Sequence, residues 1–228
     1  MRSLLDHNKK KRSCAARLDV SLGLAPQHRP RMFSCVSGFW VLLSACLVAV
    51  CSFSFLSPAW IVRSADLHTS ISFGLLWHCS ESLERIPSCY TFGGLGRFND
   101  IPSSSWQTSA VLCSGGCALL VMSCLLAIVT LFLPSGLCER RLCTLAGYMQ
   151  TAAVFIMASG LLVYPFGFNS TTVKKYCENS SIYYAGDCQI GWGYMLAIVG
   201  VMLSVFLPFF AKYAPKEHIS PTPIPTIL

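Results

Sequence analysis

Charge is what this sequence lacks. Only 12% of its 228 residues are Asp, Glu, Lys or Arg, where a soluble domain carries about a quarter. The deficit is concentrated. No charged side chain occurs from Met32 to Val62, from Ile101 to Cys138, from Leu142 to Val173, or from Gln189 to Ala211. Each gap holds an apolar run long enough to cross a bilayer, which takes about 20 residues. Spans are therefore predicted over 35–56, 107–133, 144–164 and 190–210. A buried core of a soluble helical protein would not need four such runs.

Acidic and basic residues are also missing within these spans. Proton relays, ion pathways and intramembrane hydrolysis need such groups at depth, so an enzyme or transporter is disfavoured and no cofactor is expected. No Cys-x-x-Cys pair occurs, which argues against a membrane thiol oxidoreductase. No metal-ligand spacing accompanies His78, so no metal site is expected. Gln150 is the most polar residue inside a span, and a hydrogen bond between helices accounts for it.

The basic residues that are present mark sides. Eight lie before the first span, including the run Lys9-Lys10-Lys11-Arg12. Arg140 and Arg141 lie in the middle loop, and Lys212 and Lys216 in the tail. The other side holds Arg63, Arg85, Arg97, Lys174 and Lys175. The positive-inside rule puts both termini in the cytosol and the two larger loops outside, and the plasma membrane is the expected location. The net charge of +7 is then a topology signal, and nucleic-acid binding is not expected. Residues 1–33 read as a disordered basic segment, 34–211 as the four-span domain, and 212–228 as a cytosolic tail.

Prolines 58, 134 and 165 stop helices at membrane exits, and Pro208 kinks or ends the fourth span. Trp60 and Trp106 bracket the first loop and are expected as interfacial anchors. Gly193, Ala197, Gly200 and Ser204 recur at helical spacing, a face for close helix packing. Gly147, Thr151, Ser159 and Gly160 do the same in the third span. Self-association through such a face is an alternative use.

Four of the thirteen cysteines fall in the outer loops: Cys79 and Cys89 in the first, Cys177 and Cys188 in the second. An oxidising compartment makes them candidate disulfides. Three pairings are open, and pairing within each loop is the simplest. Cys138 and Cys143, beside Arg140 and Arg141, are candidate palmitoylation sites. Asn169 and Asn179 head Asn-x-Ser/Thr sequons, with Asn179 the better placed. The tail ends in Thr226-Ile227-Leu228, the form of a PDZ ligand. Around Cys79 and Cys89, "DLHTSISFGLLWHC" and "SCYTFGGL" have strand character.

At these residues the chain resembles a known family. Trp60, then Gly74-Leu75-Leu76-Trp77-His78-Cys79, then Cys89, is similar to the claudin-superfamily pattern of Trp, Gly-Leu-Trp-x-x-Cys and Cys, with its tryptophan one place later. "DIPSSSW" ending at Trp106, "YPFGF" around Gly167, and "GDCQIGWGY" containing Gly191 and Trp192 resemble the lipoma HMGIC fusion partner-like tetraspan family, nearest to a divergent branch of it. The likeness runs from about Phe33 to Phe210. It implies an α-helical membrane protein, a left-handed four-helix bundle with a small extracellular antiparallel β-sheet. It further implies an accessory subunit set in membrane lipid that binds another integral membrane protein, a channel or receptor. A claudin-like cell-contact or paracellular-barrier protein is the alternative.

Overall fold

The computed structural model describes residues 35–65, 69–81, 87–91, 101, 103–133 and 137–214. The segment before Cys35 and the tail after Ala214, with Thr226 and Leu228, lie outside the described residues. Helix α1 covers Cys35–Leu56, and strands β1 to β4 cover Ile61–Ala65, Thr69–Phe73, Trp77–Glu81 and Pro87–Thr91. Helices α2 (Ser104–Phe132) and α3 (Leu137–Val163) follow, and α3 runs on into a 3-10 segment, Tyr164–Asn169. The short helix α4 (Thr171–Tyr176), strand β5 (Gln189–Ile190) and helices α5 (Trp192–Ser204) and α6 (Leu207–Tyr213) complete the order.

Among the described residues, four helical segments are long and apolar enough to cross a membrane: Cys35–Leu56, Ser104–Phe132, Cys138–Asn169 and Trp192–Tyr213. The second starts earlier than expected because the Ser103 hydroxyl accepts from the Ser105 amide and caps it,. The third starts well before residue 144, so Glu139, Arg140 and Arg141 sit in its first turns. The fourth breaks between α5 and α6. Pro208 stands in the first turn of α6, where its missing N–H costs no helical bond.

Large apolar side chains cover the outside of the bundle, while its inside mixes serines and other small residues with Trp40, Leu47 and Leu120. The buried face of α1 is Ser37, Trp40, Ser44, Leu47, Cys51 and Ser54, at steps of three and four that keep one helix face inward. Phe39, Leu42 and Phe53 point outward, as lipid-facing residues do. The stripe on α5 is buried at Gly193, Ala197, Gly200 and Ser204. A side chain at Gly200 would meet the Cys51 sulfur at 2.9 Å, so glycine lets α5 approach α1 closely. The third-span pattern divides instead. Gly160 faces α2 at Cys113, Gly147 faces Ala211 of α6, and Ser159 is exposed.

Hydroxyls tie the helices together where water is absent. Ser54 Oγ donates to the Gly193 carbonyl at 2.7 Å, and Ser109 Oγ to the Gly160 carbonyl at 2.7 Å. Each such bond between membrane helices contributes about 0.6–2 kcal/mol.

The five strands form one antiparallel sheet in the order β4-β3-β2-β1-β5. Four come from the loop after α1. The fifth comes from the loop before α5 and pairs Ile190 with Ile61. The two loops therefore build one sheet. Disulfide Cys79–Cys89 joins residues directly opposite in the β3–β4 register, and Cys177–Cys188 closes the second loop just before β5.

Candidate interaction surface

Where the sheet meets the bundle, aromatic rings meet. Tyr164, fully buried at the end of α3, is the hub. Trp106 stacks on it with centroids 5.3 Å apart and 9° between planes. Trp60 meets it edge-on at 4.9 Å, and Phe168 edge-on at 5.6 Å. Tyr194 of α5 stacks from another side at 5.3 Å. Each pair contributes about 0.5–1.5 kcal/mol beyond its burial. Phe73 of β2 extends the cluster to Trp106, His78 and Tyr176.

Glycines make this convergence feasible. A Cβ at Gly167 would enter the Trp106 indole, one at Gly74 would strike the Ser57 carbonyl and Pro58, and one at Gly191 would strike Ala59 and Trp60. Both tryptophan N–H groups are satisfied: Trp60 Nε1 donates to Ser54 O at 2.8 Å, and Trp106 Nε1 to Tyr164 O at 3.1 Å. The Tyr164 hydroxyl is buried with no hydrogen-bond partner among the described residues.

The expected interfacial role of Trp60 and Trp106 is therefore corrected. Their side chains are 1% and 0% exposed, enclosed by protein and not by headgroups. The physical reason is that both indole N–H groups reach carbonyls inside the fold, so neither needs water. Trp192 does lie at the surface, half exposed and packed on Phe53 at 5.6 Å. Trp77, on β3, is half-buried.

The two loops are joined through Arg63 as well as through β5. Its guanidinium donates to the Tyr176 carbonyl and lies 3.7 Å from the exposed Glu178 carboxylate. An exposed ion pair contributes little, so the carbonyl bond is the more informative contact. His78 packs 4.8 Å from Phe73 and 6.5 Å from Tyr176. Partial burial pushes its pKa down from the ordinary 6.5. Asn169 and Asn179 are both exposed at this end; Asn169 ends the 3-10 continuation of α3, and Asn179 lies between Cys177 and Cys188.

Gln150 holds the middle of the bundle. It accepts from Trp40 Nε1 at 3.3 Å and donates to Ser44 Oγ at 3.2 Å, the bond between helices that its sequence position calls for. Towards the far end, Glu139 is buried, a carboxylate that the hydropathy pattern placed outside any span. Cys143 is buried. Cys138 is half-buried.

Of the singled-out residues, Trp60, Gly74, Trp106, Gly167 and Gly191 come together at the junction of sheet and bundle. Sequence reasoning missed the hub. Tyr164 opens the quoted "YPFGF" stretch, but only as a span end. In the sequence Arg63 shows only as a charge on the outer side, with no local signal that it links the two loops.

A family model described as lipoma HMGIC fusion partner-like protein matches residues 36–214. The LHFPL tetraspan subfamily member 7 protein of Xenopus tropicalis is 41% identical over 186 residues, covering 82% of this chain and 94% of that protein. The member 3 protein of Danio rerio is 30% identical over 174 residues, covering 75% and 78%. The member 4 protein of Mus musculus is 26% identical over 188 residues, covering 81% and 74%.

Proposed function

The chain belongs to the lipoma HMGIC fusion partner-like family and is a multi-pass membrane protein, and on that premise we propose that it acts as a non-enzymatic accessory subunit. It binds another integral membrane protein, a channel or receptor, and stabilises or modulates it. The observation that carries this reading is the fusion of sheet and bundle into one body. Both loops share the sheet, and the sheet packs on the spans through Trp60, Tyr164 and Trp106. Such a body offers a partner a lipid-facing wall and a membrane-external platform at a fixed angle to each other.

In this proposal the protein sits in the plasma membrane with its termini in the cytosol and its sheet outside; the distribution of Lys and Arg supports that orientation. The tail then lies where PDZ domains are. A peptide ending in Leu228 is expected to bind a suitable PDZ domain at micromolar affinity, about −8 kcal/mol, and Thr226→Ala to abolish that binding.

The second reading is a claudin-like cell-contact protein. Strand β4 is an edge of the sheet with Tyr90 exposed, and an open edge can pair with another chain. Purification in mild detergent separates the two. A stoichiometric channel or receptor supports the accessory role. Strands of this chain alone at contacts between expressing cells support the second reading and overturn the first.

A further inference from the structure

The second loop carries an exposed apolar tip that neither the sheet nor the bundle uses. Ser181 and Tyr184 exchange backbone hydrogen bonds at 2.9 and 3.0 Å, closing a two-residue turn with Ile182 and Tyr183 at its apex. Ile182, Tyr183 and Tyr184 are all exposed. Tyr183 has φ 62°, a conformation that disfavours a bulky side chain and suits glycine at this turn position. A large ring is thus held where glycine would relieve strain.

Two contacts hold it. The Tyr183 hydroxyl donates to the Leu162 carbonyl at 3.0 Å, and its ring meets Phe166 edge-on at 5.2 Å. Leu162 lies in the last turn of α3 and is exposed on its lipid-facing surface, as Phe166 is just beyond. The turn therefore leans over the end of a membrane span and prolongs its apolar surface. Trp192, at the start of α5 and packed on the outward Phe53, is half exposed at the same end of the bundle.

We propose that the Ile182-Tyr183-Tyr184 turn is an interfacial anchor that inserts into the lipid headgroup boundary beside α3. Tyrosine suits this depth because its ring is apolar and its hydroxyl polar, and isoleucine adds apolar area at the tip. The occupant is lipid, since the tip is continuous, at Leu162 and Phe166, with the exposed apolar surface of a helix long and apolar enough to cross a membrane. The anchor fixes the tilt of the second loop, and with it β5, the edge strand beside Ile61. This inference is independent of which partner the protein serves.

The test uses full-length protein with fluorinated tyrosine in phospholipid nanodiscs, read by fluorine NMR. Tyr183→Phe and Tyr184→Phe each assign one resonance, and either assignment suffices. Gadolinium carried on lipid headgroups is expected to erase these resonances, and a water-soluble gadolinium chelate to spare them. Erasure by the aqueous chelate with sparing by the headgroup label overturns the proposal, because the tip then stands in water. Sparing by both also overturns it, because protein then covers the tip.

Discussion

The Trp106 indole lies flat on the Tyr164 ring, 5.3 Å between centroids, while its N–H donates to the backbone carbonyl of that same Tyr164 at 3.1 Å. Stacking and hydrogen bond together fix α2 against the end of α3. That junction sits directly beneath the sheet.

Gly167→Ala is expected to damage this junction. The added methyl would enter the Trp106 ring, and overpacking of a filled core costs about 1–3 kcal/mol. Thermal unfolding in detergent, followed by size-exclusion chromatography, should show a lower midpoint. Gly115→Ala is the control, since its Cβ would meet nothing within 4 Å.

Tyr164→Phe is expected to act in the opposite direction. The buried hydroxyl has no partner among the described residues, and an unsatisfied buried polar group costs about 1–3 kcal/mol. Removing it keeps every ring contact. The unfolding midpoint should hold or rise, and a fall would show that the hydroxyl is bonded in the membrane.

The disulfides should differ in their importance. Cys177 and Cys188 are buried in the core, whereas Cys89 is exposed. Loop closure contributes about 2–4 kcal/mol to either, but loss of Cys177–Cys188 also disturbs packing next to β5. Cys177→Ser should lower surface delivery more than Cys79→Ser. Peptide mapping without reductant should recover both pairs, and free thiols at these positions would contradict them.

Glycan placement tests the proposed orientation. Asn179 is exposed on the second loop, while Asn169 ends the helical continuation of the third span. Partial occupancy is expected at Asn179 and little at Asn169. A glycosidase-sensitive gel shift should vanish in Asn179→Gln. An engineered sequon in the segment between α2 and α3 that becomes glycosylated would invert the topology.

Mild acid should loosen the contact between the first loop and α4. The folded state lowers the His78 pKa below the ordinary 6.5 through burial. Folding thus favours the neutral ring, so the unfolded state binds more protons between the folded and ordinary values. Stability from this group is full above 6.5 and lost as pH falls through the folded pKa. Hydrogen exchange in β3 and α4 should quicken as pH drops from 7.5 to 5, once corrected for the intrinsic rate. His78→Phe should remove that dependence.

Much of this architecture could be read from hydropathy and spacing. The uncharged runs located the spans, and the spacing of Gly193, Ala197, Gly200 and Ser204 located the face of α5 that packs inward. Depth was harder. A hydropathy run is equally apolar towards lipid and towards the core, so Trp60 and Trp106 were expected at the interface although they are buried. Strand β5 is two residues long and pairs across more than a hundred positions of sequence, so no local periodicity announces it. Tyr164 became the hub only because helix α3 ends where three other elements arrive. Glu139 shows the same limit, because a charged residue one turn from a span reads as a loop.

The accessory role is tested most directly by the composition of the native complex. Tagged at its endogenous locus and purified in mild detergent, this chain is expected to carry one channel or receptor at a fixed stoichiometry. Cross-links should run from lipid-facing residues of its spans, and from the exposed Lys174 and Lys175 beside the sheet, to that single protein. A preparation containing only copies of this chain, cross-linked to one another through the sheet edge at Tyr90, would contradict the role.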